Sequence, residues 1–262
     1  MKQNAMRVLI LIAHANEEFS TSHRIAKLTE EALIESNHEV RVVDLKKIGF
    51  DKVASQSDFT HVSRPDHFDY ETSHVATNDN LIDEIVEQQK NVVWCTHIIV
   101  IGPMWFYRYP AIFYAYFERV FCDSFAYTST QFCSNAPLKG RKAMCVITLG
   151  GFPTTYMPSG PQTTVEGILY HVTRGNFSYC GFDCYRSQAF YQCMQDRAEI
   201  DDPMIAAKWK KAVQNLEKRP LIPFGNGVSN VAPGEMNEGQ RICGLCDYTL
   251  DEAINRDRKS VV

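Results

Sequence analysis

The sequence lacks the features that would assign it to membrane-spanning or nucleic-acid-binding proteins. No stretch of its 262 residues approaches the ~20 apolar residues that a membrane helix needs. There is no excess of basic residues either, because 27 Lys and Arg stand against 31 Asp and Glu, for a net charge of −4 and a pI near 6.1. This balance argues against binding to phosphate backbones or to anionic membranes.

The cysteine spacing of a disulfide scaffold is also missing. The nine cysteines are an odd number in a long chain, and several lie inside apolar runs, where cysteine behaves as a small buried hydrophobe. This usage predicts reduced thiols and a cytoplasmic location. The apolar run at residues 8–13 is at or below the shortest length of a secretory signal, so we interpret it as a buried strand.

What the sequence contains is a regular alternation of apolar runs and helical periodicity from residue 6 to about 217. The runs predict strands over residues 6–13, 39–45, 97–102, 143–149 and 184–190. The periodic segments predict helices over residues 20–36, 81–93, 110–122, 165–180 and 203–216. Strands separated by helices form right-handed βαβ units. Five such strands fit an α/β fold with a doubly wound parallel sheet in the order 2-1-3-4-5, the flavodoxin-like arrangement.

Two segments fall outside this alternation. Residues 46–80 are rich in Asp, Ser and His and predict a long irregular excursion. Residues 221–262 are rich in Gly, Pro, Asn and Asp, so we predict a folded domain over residues 1–220 followed by a C-terminal extension. Cys243 and Cys246 form a lone C-x-x-C motif in that extension, whereas a structural zinc site needs four ligands.

The loops at the carboxyl ends of the strands are the candidates for a binding site, because ligands of open parallel sheets bind there. The first loop, residues 14–22, carries neither G-x-G-x-x-G nor a P-loop motif. It brings Ser20, Thr21 and Ser22 to the start of a helix, where hydroxyl and backbone N–H groups suit a phosphate. Simple capping of the helix by one hydroxyl is the other interpretation.

The second loop, residues 103–110, opens an unusually aromatic segment. Nine of the nineteen residues from 103 to 121 are Phe, Tyr or Trp, and Phe113, Phe117 and Phe121 among them fit core packing. Rings in a loop at a strand exit are costly to expose unless something stacks on them, so we predict a planar ring such as an isoalloxazine. The helix that follows is apolar almost all round, which predicts a dimer interface.

The third loop follows the fourth predicted strand. It reads Thr148-Leu149-Gly150-Gly151, and Tyr156 stands a few residues further on. Paired glycines let backbone N–H groups approach the edge of a ligand closely, while a tight turn is the alternative interpretation.

Together these segments resemble the NAD(P)H:quinone oxidoreductases (DT-diaphorases), flavoproteins of flavodoxin-like fold. The resemblance covers about residues 6–225 and depends on the order and spacing of its segments rather than on any single one. The matching segments are Tyr-Pro-Ala-Ile at 109–112, Phe-Glu-Arg-Val-Phe at 117–121, Phe-Ala-Tyr at 125–127, Thr-Leu-Gly-Gly at 148–151 with Tyr156, and Cys-Gly-Phe at 180–182.

The resemblance implies a homodimer that binds FAD in sites shared between two subunits. It assigns to the cofactor His14, Phe19, Ser20, Thr21, Ser22, Pro103, Met104, Trp105, Phe106, Tyr107, Thr148, Leu149, Gly150, Gly151 and Tyr156. It assigns to the substrate Tyr127, Ser129, Phe106 and Arg108, with Tyr127 acting from the partner chain. The residues expected to take part in catalysis are Tyr156, Gln162 and Gly150.

The activity implied is the two-electron reduction of quinones by NADH or NADPH, with azo and nitro compounds as further acceptors. In a ping-pong hydride transfer, the nicotinamide would leave before the quinone enters the same slot. Hydrogen-bond donors fixed at the edge of the flavin would stabilise the negative charge that develops there. A non-catalytic flavin-binding or regulatory module and a single-electron flavodoxin-like carrier stay open as alternatives.

The sequence departs from the family pattern at several positions. Gln162 stands where a histidine often assists Tyr156, and an amide cannot take up a proton. Asp202 stands where an arginine lies near the FAD adenosine, which leaves FMN open as the cofactor. Arg174 and Ser178 match positions of the metal ligands that some members carry, so we predict no metal site.

Overall fold

A parallel sheet forms the centre of the structure. The structure is a computed structural model, and it describes residues 5–16, 18–62, 65–70, 80–193 and 198–224. Its strands are β1 (Arg7–Ile12), β2 (Glu39–Asp44), β3 (His97–Pro103), β4 (Lys142–Thr148), β5 (Asp183–Cys184) and β6 (Gln188–Phe190). β1, β3 and β4 are buried along nearly their whole length. Helices cover both faces of the sheet, which explains why these strands appear in the sequence as unbroken apolar runs.

The order of the strands confirms the predicted arrangement 2-1-3-4-5. The last position of the sheet differs from the prediction of one strand over residues 184–190, because β5 and β6 pair separately with β4. The backbone between them leaves the ladder for other partners: Arg186 donates its N–H to the carbonyl of Pro220, and Ser187 donates its N–H to the Glu166 carboxylate.

The helices of the described residues pack on the two faces of this sheet. They are α1 (Thr21–Glu35), α2 (Asp83–Trp94), α3 (Ala111–Val120), α4 (Val165–Ile168) and α5 (Pro203–Gln214). α1 and α5 cover one face, where the Trp209 indole donates a hydrogen bond to Thr29, and α2, α3 and α4 cover the other. The helix predicted over residues 165–180 continues beyond α4 as a π-helix, His171–Ser178, a form that short-range periodicity does not distinguish from α.

The excursion over residues 46–80 packs more tightly than its polar composition predicts. Its described part contains 3₁₀ turns at Gln56–Asp58 and Pro65–His67. Asp58 is fully buried and accepts a hydrogen bond of 2.9 Å from Nε of Arg119 on α3. The Phe50 ring lies 4.4 Å from the same guanidinium carbon. The excursion therefore forms part of the packing around α3.

The first residues of the predicted C-terminal extension contact the domain. Leu221 forms a β-bridge with Tyr185, and the buried Ile222 donates its N–H to the carbonyl of Cys184 at 2.7 Å. The remainder, with Cys243 and Cys246, lies outside the described residues. Of the helices that the structure describes, none combines the length and the hydrophobicity that crossing a bilayer requires.

Candidate active site

A cleft of about 640 Å³ opens at the carboxyl ends of β1, β3 and β4. Of the residues predicted to bind a cofactor, those that line it are His14, Phe19, Ser20, Thr21, Ser22, Pro103, Met104, Trp105, Thr148, Leu149 and Gly150. The structure thus brings the three predicted loops to one cavity. Asn16, Glu18, Arg24 and Cys193 line it as well. Asn16 and Glu18 belong to the first predicted loop, whereas no pattern in the sequence points to Arg24 or Cys193.

Close packing of β1 against β3 fixes the loops that leave these strands. Ala13, directly after β1, donates its N–H to the carbonyl of Ile101 at 2.9 Å. A Cβ atom on Gly102 would lie only 2.6 Å from the carbonyl oxygen of Ala13, so this approach requires glycine. Met104 in turn donates its N–H to Thr148 at 2.9 Å, which ties the aromatic loop to the end of β4.

The hydroxyl cluster occupies the start of α1. Ser20 is the N-cap residue, and its Oγ accepts a hydrogen bond of 3.2 Å from the backbone N–H of His23. Ser22 is buried, with its Oγ 3.5 Å from Oγ1 of Thr148. Capping by one hydroxyl therefore holds for Ser20. The same residues place the positive end of α1 at the cleft, where it suits an anionic group.

Two histidines stand beside this helix start. His14 lines the cleft and accepts a hydrogen bond of 3.0 Å from the backbone N–H of Asn16 through Nδ1. Its ring meets that of His23 edge-on, with centroids 5.7 Å apart. Burial lowers the pKa of His14, and the nearby His23 lowers it further. His14 is therefore neutral at neutral pH.

The aromatic loop forms a hairpin that rises from the wall of the cleft. Trp105 and Arg108 bond to each other through both backbone groups, at 2.8 and 3.1 Å. Phe106 and Tyr107 form the tip in the left-handed region, with φ of 50° and 60°. The Phe106 side chain is 96% exposed and that of Tyr107 50%. The cleft wall thus ends at Trp105, and the predicted contacts of Phe106 and Tyr107 with a cofactor stay predictions.

The diglycine bend carries Tyr156 close to its backbone. A Cβ atom on Gly151 would lie 3.3 Å from the Tyr156 hydroxyl oxygen, so the ring leans on the bend. Burial raises the pKa of Tyr156, and Tyr107 adds to the shift, so the phenol keeps its proton at neutral pH. Gln192 and Cys193 anchor the bend by donating their N–H groups to Gly151 and Leu149.

Gln162 belongs to the same loop as Tyr156. Its backbone N–H donates to the carbonyl of Thr155 at 3.1 Å. Its side-chain Oε1 is shielded from solvent and has no hydrogen-bond partner in the described part of the chain. A buried acceptor of this kind is costly unless a donor approaches it. A donor on a bound ligand, or a donor brought near by movement of the loop, could therefore satisfy this oxygen.

The predicted substrate residues are not brought together in one chain. Tyr127 lines a separate depression with Phe117 and Tyr70, and Ser129 is exposed on a turn beyond it. Arg108 is exposed, with its guanidinium carbon 5.4 Å from the centroid of Tyr114. None of the three lines the cleft described above.

The two positions that match metal ligands bond to each other. Nη1 of Arg174 donates to Oγ of Ser178 at 3.0 Å. Over the residues that the structure describes, there is no group of three or more His, Cys, Asp or Glu side chains able to hold a metal ion.

Known proteins share both this fold and this sequence pattern. A model of the family with the flavodoxin-like fold matches residues 6–216. NAD(P)H dehydrogenase (quinone) 1 of Cavia porcellus is 31% identical over 219 residues, which cover 82% of this chain and 79% of that protein. A ribosyldihydronicotinamide dehydrogenase-like protein of Penicillium crustosum is 24% identical over 97% of this chain and 99% of its own. A crystal structure of a quinone reductase, described as putative, from Klebsiella pneumoniae superimposes with a TM-score of 0.73 at 23% identity, covering 85% of this chain and 89% of that one.

The fold and the cleft at the carboxyl ends of its strands define a protein of the flavodoxin-like class. Within that class, the chain belongs to the NAD(P)H:quinone oxidoreductase family.

Proposed function

We propose that the chain is a flavoenzyme that reduces quinones by two electrons at the expense of NADH or NADPH. The observation that carries the proposal is one open cleft bounded by three different surfaces. It has a helix start rich in hydroxyls, an apolar wall of Pro103, Met104 and Trp105, and a glycine bend. The relatives at 31% and 24% identity carry the names of nicotinamide-dependent dehydrogenases.

The residues present fit a flavin. Apolar side chains on one wall suit a flat ring system, and Gly150, which lines the cleft without a side chain, permits close approach of the backbone to its edge. Hydroxyl groups at the positive end of α1 suit the phosphate of FMN or the pyrophosphate of FAD. When bound, a flavin supplies hydride transfer between a nicotinamide and a quinone.

Tyr156 and the diglycine bend are the donors that we propose for the other end of the ligand. Gly150 lines the cleft, whereas Gly151, Tyr156 and Gln162 do not, and Tyr156 packs against Gly151 beside it. Tyr156 holds its proton on the hydroxyl at neutral pH, because burial raises its pKa. Together with the backbone of Gly150 and Gly151, this O–H group would stabilise negative charge that develops at the ligand's edge. Gln162 is expected to contribute a hydrogen bond rather than proton transfer, since an amide does not titrate.

A homodimer would complete the substrate pocket. Ile112, Tyr114 and Phe117 are only half-buried along α3, which leaves apolar surface for a second subunit. Tyr127 and Ser129 lie away from the cleft of their own chain, as expected of residues that act on a partner's site. Sedimentation should give about twice the chain mass of 29.9 kDa, and a monomer at working concentration would contradict this part of the proposal.

A cytoplasmic location is part of the proposal. Its support is that the seven described cysteines are all free and that six of them are buried, as expected in a reducing compartment.

Steady-state kinetics test the function directly. The purified protein, supplied with FAD or FMN, should oxidise NADH or NADPH when menadione is added. Double-reciprocal plots at several quinone concentrations should be parallel if the first product leaves before the quinone enters. Flavin binding without NAD(P)H oxidation would support the non-catalytic module instead. Azo and nitro compounds, offered in place of menadione, measure how wide the range of acceptors is.

A further inference from the structure

A chain of three hydrogen-bonded side chains runs from β2 to the cleft. Asp44, the last residue of β2, has Oδ2 2.8 Å from Nε2 of His23. The other ring nitrogen of His23, Nδ1, lies 2.7 Å from Oγ of Ser20, which lines the cleft. The side chains of His23 and Asp44 are only 12% and 11% exposed. His23 itself does not line the cleft, so it can act on a ligand only through Ser20.

Asp44 determines which proton His23 carries. Its Oδ1 accepts hydrogen bonds from the backbone N–H groups of Lys46 and Lys47, at 3.1 and 3.2 Å. A carboxylate held in this way only accepts hydrogen bonds. Nε2 of His23 must therefore carry a hydrogen, and only the state of Nδ1 is left to vary.

The state of Nδ1 decides where the Ser20 hydroxyl hydrogen points. Oγ of Ser20 already accepts the backbone N–H of His23. If the imidazole is neutral, its Nδ1 lone pair takes the hydroxyl hydrogen, and Ser20 offers the cleft no donor. If the imidazole is protonated, Nδ1–H donates to Oγ, and the hydroxyl hydrogen is released toward the cleft.

The groups that face His23 are few. They are Asp44 from β2, His14 from the loop after β1, and Ser20 at the start of α1. Arg24, the next residue of α1, is paired with Asp201 of the 3₁₀ turn before α5. The neutral His14 leaves Asp44 as the charged group in direct contact with the ring.

We propose that His23 is a positioning residue that couples proton uptake to binding of the flavin phosphate, an inference that rests on the proposed function. On binding, Nδ1 of His23 takes a proton from solvent and donates it in a hydrogen bond to Ser20. The Ser20 hydroxyl then donates to a phosphate oxygen. The imidazolium, held by Asp44, adds a positive charge behind that hydroxyl.

A purely structural role for His23, in which its ring only holds the N-cap Ser20 and the start of α1 against Asp44, makes a different prediction. Its loss would then lower the stability of the helix start whatever the ligand. The coupling instead distinguishes FMN from riboflavin, which has the same ring system without the phosphate. The comparison of the two ligands therefore separates binding of the ring from binding of the phosphate.

The first test is the affinity of the flavin-free protein for FMN and for riboflavin, measured by quenching of flavin fluorescence. His23→Ala and His23→Asn should weaken FMN binding by roughly ten- to hundredfold, the worth of a charge-assisted hydrogen bond. Riboflavin affinity should change by less than about twofold. His61→Ala, which removes an exposed histidine of the excursion, is the matched control and should change neither.

The second test is isothermal titration with FMN at pH 8, where a phosphate monoester is a dianion. Titrations in Tris and in HEPES give the number of protons taken up. The wild-type protein should take up protons, and His23→Asn should take up none.

Different results would contradict the proposed function and the role of His23. Wild-type protein that binds no flavin at all would overturn the proposed function. Tight FMN binding with no proton uptake, or an unchanged ratio of FMN to riboflavin affinity in both His23 variants, would overturn the role of His23 alone. The wild-type titration answers the question even if a variant fails to fold.

Discussion

Tyr156 is the single residue on which the proposed chemistry depends most. Its hydroxyl leans on Gly151 and keeps its proton at neutral pH. We expect Tyr156→Phe to slow reduction of the flavin-loaded enzyme by NAD(P)H roughly tenfold, because a donor to developing negative charge is lost. The measurement is stopped-flow absorbance under anaerobic conditions. Stability should change by no more than about 1 kcal/mol, the net worth of one hydrogen bond. An unchanged rate would remove Tyr156 from the catalytic residues.

The sequence predicts that a residue lies at the cleft where its position in a loop after a strand is enough to place it there. The residues after β1, β3 and β4 line one cleft because parallel strands end at one edge of the sheet. His23 could not be found in this way, because its partner Asp44 lies 21 positions away. The sequence does not predict the conformation of Phe106 and Tyr107 either, because two left-handed residues in a hairpin turn are normally Asn or Gly.

At the scale of elements, the link between α3 and the excursion is open to a stability test. Arg119 is fully buried, and its guanidinium donates to Asp58 and, at 3.0 Å, to Glu84. We expect Arg119→Leu to lower the free energy of unfolding by about 3–5 kcal/mol, because Asp58 is left as an unpaired buried charge. The measurement is denaturant unfolding followed by circular dichroism.

An exposed ion pair provides the control for that change. Lys90 and Glu87 stand 3.5 Å apart with side chains 67% and 62% exposed. Lys90→Ala should therefore alter stability by less than about 1 kcal/mol. Adding Asp58→Asn to Arg119→Leu should restore part of the loss, since it removes the uncompensated charge. Equal stability of Arg119→Leu and Lys90→Ala would mean that the buried pair does not hold the excursion.

Strands and helices are predictable from the sequence where the pattern of neighbouring residues alone determines them. β1, β3 and β4 are buried on both faces, and their continuous apolar sequences predict them well. β5 and β6 were predicted as one strand because their separation depends on distant partners, Pro220 and Glu166, for the backbone between them. The packing of the excursion is not predictable from local sequence for a similar reason, because Asp58 pairs with an arginine far along the chain.

For the whole molecule, the alternation of strands and helices was enough to predict the strand order. Right-handed crossovers leave few ways to arrange five parallel strands with helices on both faces. The order then places three chemically distinct loops around one cavity, although none of them carries a specific motif alone. Tyr127 lines a separate depression, and the sequence of one chain does not determine how two copies associate.

The proposed function depends on a flat heterocycle occupying the cleft between the 103–105 wall and the diglycine bend. Titration of the flavin-stripped protein with FMN and with FAD tests it most directly, with Gly150→Val as the matched variant. The side chain of that variant would occupy space at the ligand's edge. We predict that the wild-type protein binds one flavin per chain and that Gly150→Val loses most of that affinity. Failure of the wild-type protein to bind either flavin, or equal binding by Gly150→Val, would contradict the account.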